Sequence, residues 1–297
     1  MPRTPVIAVV GATAAGKSDL ALGLAERLGG EVVNTDAMQV YRGMDIGTAK
    51  LPVPERRGVT HHLLDFLDVT ETASVAEFQR MARSVIEDLR GAGKTPVLVG
   101  GSALYTRAIV DVFEFPGTDP VLRSALEAEL AEVGSASLHQ RLAAKDPAAA
   151  AAILPSNGRR IVRALEVIEL TGSFTAELPE PAYALDDVVQ LGVDIDRPTV
   201  DERIARRVDL MWEQGLVDEV RGLRPGIDEG LTASRAIGYK QVLMQLDGVI
   251  TEEQAREQTT SATRRFSRRQ DSWFRNDPRV RWVPWDDPLD QALEAIG

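Results

Sequence analysis

The residues best suited to chemistry lie close to the start of the chain. Gly11-Ala12-Thr13-Ala14-Ala15-Gly16-Lys17-Ser18 follows an apolar run, Ile7 to Val10, and precedes Asp19-Leu20-Ala21-Leu22-Gly23-Leu24-Ala25, which reads as a helix. The octapeptide matches G-x-x-x-x-G-K-[ST], a loop that cradles phosphate where it joins a strand to a helix. Its glycines let backbone N–H groups turn towards phosphate oxygens, and the helix adds the positive end of its dipole. Lys17 supplies a point charge, and the Ser18 hydroxyl can hold Mg²⁺. Gly11, Thr13, Ala14, Ala15, Gly16, Lys17 and Ser18 are therefore the expected phosphate-binding residues. The loop alone leaves open whether those phosphates belong to a nucleotide.

A P-loop ATPase or GTPase normally carries an aspartate at the end of an apolar strand to hold Mg²⁺ through water. Here the strand Thr95 to Val99 runs into Gly100-Gly101-Ser102, without a carboxylate. The candidate acid is Asp36, after Glu31-Val32-Val33-Asn34-Thr35. It reads either as a helix cap or outer Mg²⁺ ligand, or as a general base for a nucleophile attacking a bound diphosphate. His61 and His62 are adjacent, so they point differently, and no Cys or Glu-x-x-His accompanies them; they read as structural or loop residues rather than metal ligands. Tyr41 and Tyr105 suit the core or a pocket lining equally.

Cationic residues cluster despite a net charge of −11. Residues 263–281 hold seven arginines against two aspartates. Arg264 with Arg268, and Arg265 with Arg269, are i, i+4 pairs and predict a basic stripe on one helix, with Trp273 and Phe274 available to stack on bases or, the favoured reading, to pack in the core. Arg159, Arg160 and Arg163 form a second cluster at a helix start. Such clusters suit nucleic-acid phosphates, or a solvated helix face.

The elements that must position these residues alternate. Strand, helix, strand, helix, strand up to Val99 predicts a doubly wound α/β fold, a P-loop NTPase-like parallel sheet with helices on both faces. Ser74 with Glu77 predicts a capped helix from about Val75 to Leu89. The segment 37–50, with weak periodicity and many polar side chains, reads as a ligand-handling loop with a short helix. From about Pro116 the texture turns Ala-rich and helical, over 119–133, 137–152 and from Asn157. This predicts a helical insertion, residues 117–190, within a core of 1–116 and 191–297. Val188 to Asp194 returns to strand character, and Thr251 to about Arg275 is helical before the strand-like Val280 to Val283. With 44% hydrophobic residues, 27% charged and no cysteine, the 297-residue chain has a sizeable core and no thiol chemistry. No run approaches a membrane span, and a cytoplasmic location is expected.

Seven stretches, in order, resemble the bacterial tRNA dimethylallyltransferase family. They are Gly11 to Ser18, Asp36 to Lys50, His61 to Asp65, Gly100 to Tyr105, Arg160 to Val167, Ile237 to Gln241 and Arg268 to Arg275. Three positions depart from the family pattern: Ala12 for Pro, Ser102 for Thr and Lys240 for Arg, the last losing the planar guanidinium fork. The resemblance implies transfer of a dimethylallyl group from dimethylallyl diphosphate to N6 of the adenosine 3′ of the anticodon in tRNA. It implies that the P-loop and Arg235 grip the donor diphosphate, with Mg²⁺ at Ser18. Asp36, Ser102 and Lys17 would be catalytic: Asp36 accepts the N6 proton, Ser102 orients the amine and Lys17 neutralises the leaving diphosphate. Asp36, Ala37, Met38, Gln39, Ser102, Arg123, Arg160, Ile161, Val162, Arg163, Ala164, Lys240, Arg264 and Arg268 would touch tRNA, the insertion embracing the anticodon stem-loop. A monomer without an obligate protein partner is expected. The competing readings are a small-molecule P-loop kinase using ATP and a nucleotide-regulated RNA-binding adaptor without turnover.

Overall fold

The computed structural model describes residues 4–175 and 178–297, which divide into two compact units. One runs through Asp111 and resumes at Pro181; the other is Val112–Glu180. The insertion thus opens and closes earlier than the expected 117–190. The returning chain is already held by the first unit, because Ala184 N donates to Val110 O at 2.8 Å and Tyr183 bridges to Asp111.

In chain order the first unit contains β1 (Val6–Val10), α1 (Lys17–Leu28), β2 (Glu31–Asn34), β3 (His61–His62), α2 (Val75–Gly91), β4 (Pro96–Val99) and α3 (Ala103–Val110). The insertion contributes α4 (Pro120–Lys145), α5 (Pro147–Ala151) and α6 (Gly158–Thr171). The first unit continues with β5 (Val188–Asp194), α7 (Arg197–Glu213), α8 (Leu216–Leu223) and α9 (Gly226–Glu229). It ends with α10 (Tyr239–Leu246), α11 (Glu252–Arg275), β6 (Val280–Pro284) and α12 (Pro288–Ile296).

The six strands form one sheet in the order β3-β2-β4-β1-β5-β6, and every pairing is parallel. Residues of β1 alternate between two cores: Val6, Ala8 and Val10 pack on one face, Ile7 and Val9 on the other. Burial on both faces explains why this strand reads as an unbroken apolar run. Because β1 is central and all strands point the same way, the turns after β1, β2 and β4 emerge together at one sheet edge, where α/β folds place their sites. The strand expected to end at Asp36 ends at Asn34, so Asp36 stands in the turn beyond it. His61 and His62 form a two-residue edge strand, and His62 Nε2 lies 2.6 Å from Glu31 Oε2 on the neighbouring strand.

Caps fix the helix starts. Ser74 Oγ accepts from Glu77 N at 3.4 Å, and at α11 Thr251 and Gln254 bond reciprocally at 3.2 and 2.9 Å. In the insertion, the two expected Ala-rich helices are joined across a kink at Gly134 into α4. Its apolar core includes Leu126, Leu138, Leu142, Ile161, Val162, Ala164 and Leu165.

Beside that core the fully buried Glu166 carboxylate accepts from Thr118 Oγ1 at 2.5 Å, Arg163 Nη1 at 2.7 Å and Arg123. Burial alone would raise its pKa, yet hydrogen bonds from Arg123, Thr118 and Arg163 hold it down to about 2. The stabilisation is present above its ordinary value and is lost as pH falls towards 2. Arg123→Met takes one charged partner from a buried carboxylate and is expected to destabilise the protein by about 1–3 kcal/mol. Chemical denaturation of the two proteins side by side measures this; an unchanged midpoint would show that Arg163 and Thr118 suffice.

Candidate active site

The first cleft is built around the P-loop. Gly16 has φ +101 immediately before α1, a left-handed conformation that glycine adopts at little cost. Thr13, Ala14, Gly16, Lys17 and Ser18 line a polar cleft of about 130 Å³, together with Asp36, Gln39, Gly100, Gly101 and Arg207. Gly11 and Ala15 are buried within the loop and shape it without lining the cleft. Lys17 Nζ donates to Ala12 O at 2.7 Å. Desolvation, reinforced by Arg207 and opposed by Asp36, lowers the Lys17 pKa to about 8. Ser18 is exposed at the first turn of α1.

Asp36 caps a turn and also borders the cleft. Its Oδ1 accepts from Met38 N at 2.8 Å, as a turn-capping aspartate does, and its own N–H donates to Asn34 Oδ1 at 2.8 Å. The side chain nevertheless lines the cleft. Desolvation raises its pKa, while the N–H groups of Met38 and Gln39 and the charge of Lys17 pull the other way. Ser102 Oγ accepts from Ala37 N at 3.2 Å, tying the turn after β4 to the turn after β2. That leaves the hydroxyl proton available as a donor.

A second, apolar cavity of about 310 Å³ shares Thr13, Asp36, Thr48, Ala49, Arg207 and Phe266 with the first. Ala37, Met38, Ser102, Met211 and Arg235 complete much of its wall. Arg235, expected at the diphosphate, thus borders the apolar cavity and is not a wall of the P-loop cleft. Tyr41 and Tyr105 are core residues and line neither cavity.

The 37–50 loop is packed more firmly than its sequence suggests. Val40, Tyr41 and Met44 are fully buried. Lys50 Nζ, also buried, donates to Tyr41 O at 3.0 Å, Asp45 Oδ1 at 2.6 Å and Asp65 Oδ1 at 2.5 Å. The Glu219 carboxylate, from α8, accepts from the backbone N–H groups of Asp45, Ile46 and Gly47 at 3.1, 2.7 and 3.3 Å, and from Tyr239 Oη at 2.5 Å. The loop therefore presents Gln39, Thr48 and Ala49 to the cavities from a fixed frame.

Among the cleft walls outside the expected set are Arg207 and Gln270. Arg207 reaches both cavities from α7. Desolvation lowers its pKa and Asp19 raises it. Its sequence signal is its position: it falls three residues after Ile204 and seven after Val200, on the buried stripe of α7. Gln270 of α11 accepts from Thr13 N at 2.8 Å and donates to Gly101 O at 2.9 Å.

The expected RNA contacts separate into several environments. Ile161, Val162 and Ala164 are at most 2% exposed because their helical spacing turns them into the insertion's own core, so their side chains are not available to RNA. Arg123 and Arg163 are engaged by Glu166, while Arg160 is exposed at the start of α6. On α11, Arg264 is half-buried and donates to Asp201 O of α7 at 3.1 Å, which removes it from the stripe; Arg265, Arg268 and Arg269 are exposed. Lys240 is exposed and shares a surface groove with Arg265. Phe274 is buried as expected, but Trp273 is 40% exposed.

Among the described residues, no group of three or more His, Cys, Asp or Glu side chains could hold a metal ion. Nor is any helix long and apolar enough to cross a membrane.

A family model described as IPP transferase matches residues 39–277. The chain is 65% identical, over 99% of its length and 96% of the relative's, to a tRNA dimethylallyltransferase of Nocardioides sp.. It is 67% identical to that of Streptomyces griseus, over 94% and 89%. Among solved structures, a tRNA isopentenylpyrophosphate transferase from Bacillus halodurans shares 42% identity with a TM-score of 0.70, covering 99% of this chain and 94% of that one. A eukaryotic dimethylallyltransferase acting on tRNA gives a TM-score of 0.82 at 26% identity, covering 98% and 77%.

Proposed function

Because the chain belongs to the IPP transferase family, we propose that it transfers the dimethylallyl group of dimethylallyl diphosphate to N6 of the adenosine 3′ of the anticodon in tRNA. One observation carries the assignment of the donor: the polar P-loop cleft shares six wall residues with a larger apolar cavity beside it. A ligand with a charged head and a short apolar tail fits such a pair. The kinase reading gains no support from the relatives described, which modify tRNA.

In the reaction, the N6 lone pair forms a bond to C1 of the dimethylallyl group, the C1–O bond breaks and diphosphate leaves with the electron pair. The proton lost from N6 passes to the Asp36 carboxylate, which desolvation makes a stronger base. Ser102 orients the amine. Lys17 and Arg207 face the charge that grows on the departing diphosphate, the kind of electrostatic support that lowers such barriers most. Mg²⁺ fits a site of this composition: with one hydroxyl, Ser18, and no carboxylate cage, it would take most of its ligands from diphosphate and water. When bound it would neutralise diphosphate charge.

The target base must leave its stack to reach the cavity. Arg160, Lys240, Arg265, Arg268 and Arg269 are exposed cations suited to the RNA backbone. The enzyme acts as a cytoplasmic monomer in this reading.

The test is to incubate the protein with Mg²⁺, labelled dimethylallyl diphosphate and tRNA carrying adenosine 3′ of the anticodon. Label in the RNA is expected; ATP hydrolysis without labelled RNA overturns the proposal. Binding of the tRNA is expected to weaken steeply with salt despite the acidic total charge, because exposed cations release counterions from the phosphates. A titration of affinity against salt checks this, and a flat response would remove the cations from the interface.

A further inference from the structure

We propose that Gln270 is a positioning residue that sets the distance between donor and acceptor. Gln270 is a wall of the P-loop cleft, but both ends of its amide are spent on backbone. It holds the two backbone segments that do the holding: the P-loop through Thr13 N and the turn after β4 through Gly101 O. The P-loop carries Lys17, and the turn leads directly into Ser102. The inference rests on the prenyl-transfer reading above, in which those two segments serve donor and acceptor respectively.

Three observations support a built device rather than incidental packing. The side chain is 5% exposed, and both ends of its amide are used, the carbonyl as acceptor and the amine as donor. Its length spans two segments far apart in sequence, on the loops after β1 and β4. Finally, the turn makes room for it: a Cβ at Gly101 would lie 2.1 Å from Gln270 Nε2, so the amide would have to swing away from its present place beside the turn. The glycine therefore permits the glutamine's present position. On α11, Ser267 and Phe274 are buried with Gln270 while Arg265, Arg268 and Arg269 are exposed. The helix that presents cations to solvent thus also braces the interior.

A residue that fixes separation acts on the chemical step more than on either binding equilibrium, since a displacement of about 1 Å can cost on the order of 100-fold in rate. Gln270→Met keeps the volume and removes both hydrogen bonds. It is expected to lower kcat by roughly 10- to 100-fold, with KM for dimethylallyl diphosphate and for tRNA each within about three-fold. Gln270→Asn keeps the amide but is one methylene too short to bridge. It is expected to fold normally, show a native thermal midpoint and give the same split, which keeps the test decisive should the Met variant not fold. Gly101→Ala is expected to cost a comparable factor in the native background and little in Gln270→Ala, because the two changes disrupt one contact. The native enzyme is assayed in parallel: if it transfers no label, the prenyl-transfer reading fails and the proposal with it. If it is active and Gln270→Asn retains full kcat, or raises only the donor KM, or if the Gly101 and Gln270 effects add independently, Gln270 is not the spacer.

Discussion

Replacing Asp36 by Asn is expected to lower kcat by about 10²- to 10⁴-fold, the usual range for losing a general base, while tRNA affinity stays within a few-fold. Asn keeps the shape and can still accept from Met38 N, so the turn survives and only the basicity is removed. Single-turnover transfer against filter-binding affinity separates the two quantities. The native enzyme's pH profile carries the same information. A base works deprotonated, so the rate rises with pH through the Asp36 pKa and then levels. Because desolvation raises that pKa, the acid limb lies above the ordinary carboxylate range. The Asn variant should lose the limb along with the rate. Near-native turnover in Asp36→Asn would leave the residue only its capping role.

Lys17→Met is expected to lower transfer by roughly 10²- to 10³-fold, the scale of removing one electrostatic contact to developing charge. In the free enzyme the lysine titrates at about 8, mainly through desolvation. The ammonium is the useful form, so kcat/KM for the donor should fall as pH rises through that value. Lys17→Arg, charged throughout, should abolish this alkaline limb whatever its absolute rate. Persistence of the limb in Lys17→Arg would assign it to another group. The ammonium donates to Ala12 O at 2.7 Å in the structure, a bond that uses one of its three N–H donors.

Features encoded locally were legible in the sequence, and features created by packing were not. The P-loop announces itself because eight consecutive residues carry its geometry. The strand Val188–Asp194, the helix from Thr251 to about Arg275 and the Ser74–Glu77 cap of α2 lie where the sequence puts them, since strand character, helical period and capping are short-range properties. By contrast, β3 is two histidines with no pattern, and it is a strand only because β2 offers an edge. The basic helix faces were misjudged at particular residues. Arg264 is captured by α7, and Ile161, Val162 and Ala164 obey the helical period that turns them inward. Arg207 is one of three arginines within five residues, with Arg203 and Arg206, and only its register with Val200 and Ile204 sets it apart. Gln270 falls inside the last resembling stretch, Arg268 to Arg275, but its bracing of two segments carried no local signal, because its partners are a loop and a turn far away in sequence.

Glu219 closes off what would otherwise be a second anion-binding concavity. Three successive N–H groups at Asp45, Ile46 and Gly47 converge as in an anion nest, the kind of concavity that phosphate seeks. Here the nest is satisfied from within by a carboxylate that the Tyr239 hydroxyl also holds. A carboxylate built into the chain thus occupies this concavity, so these N–H groups are spent on holding the 37–50 loop in place, while the P-loop lines an open cleft.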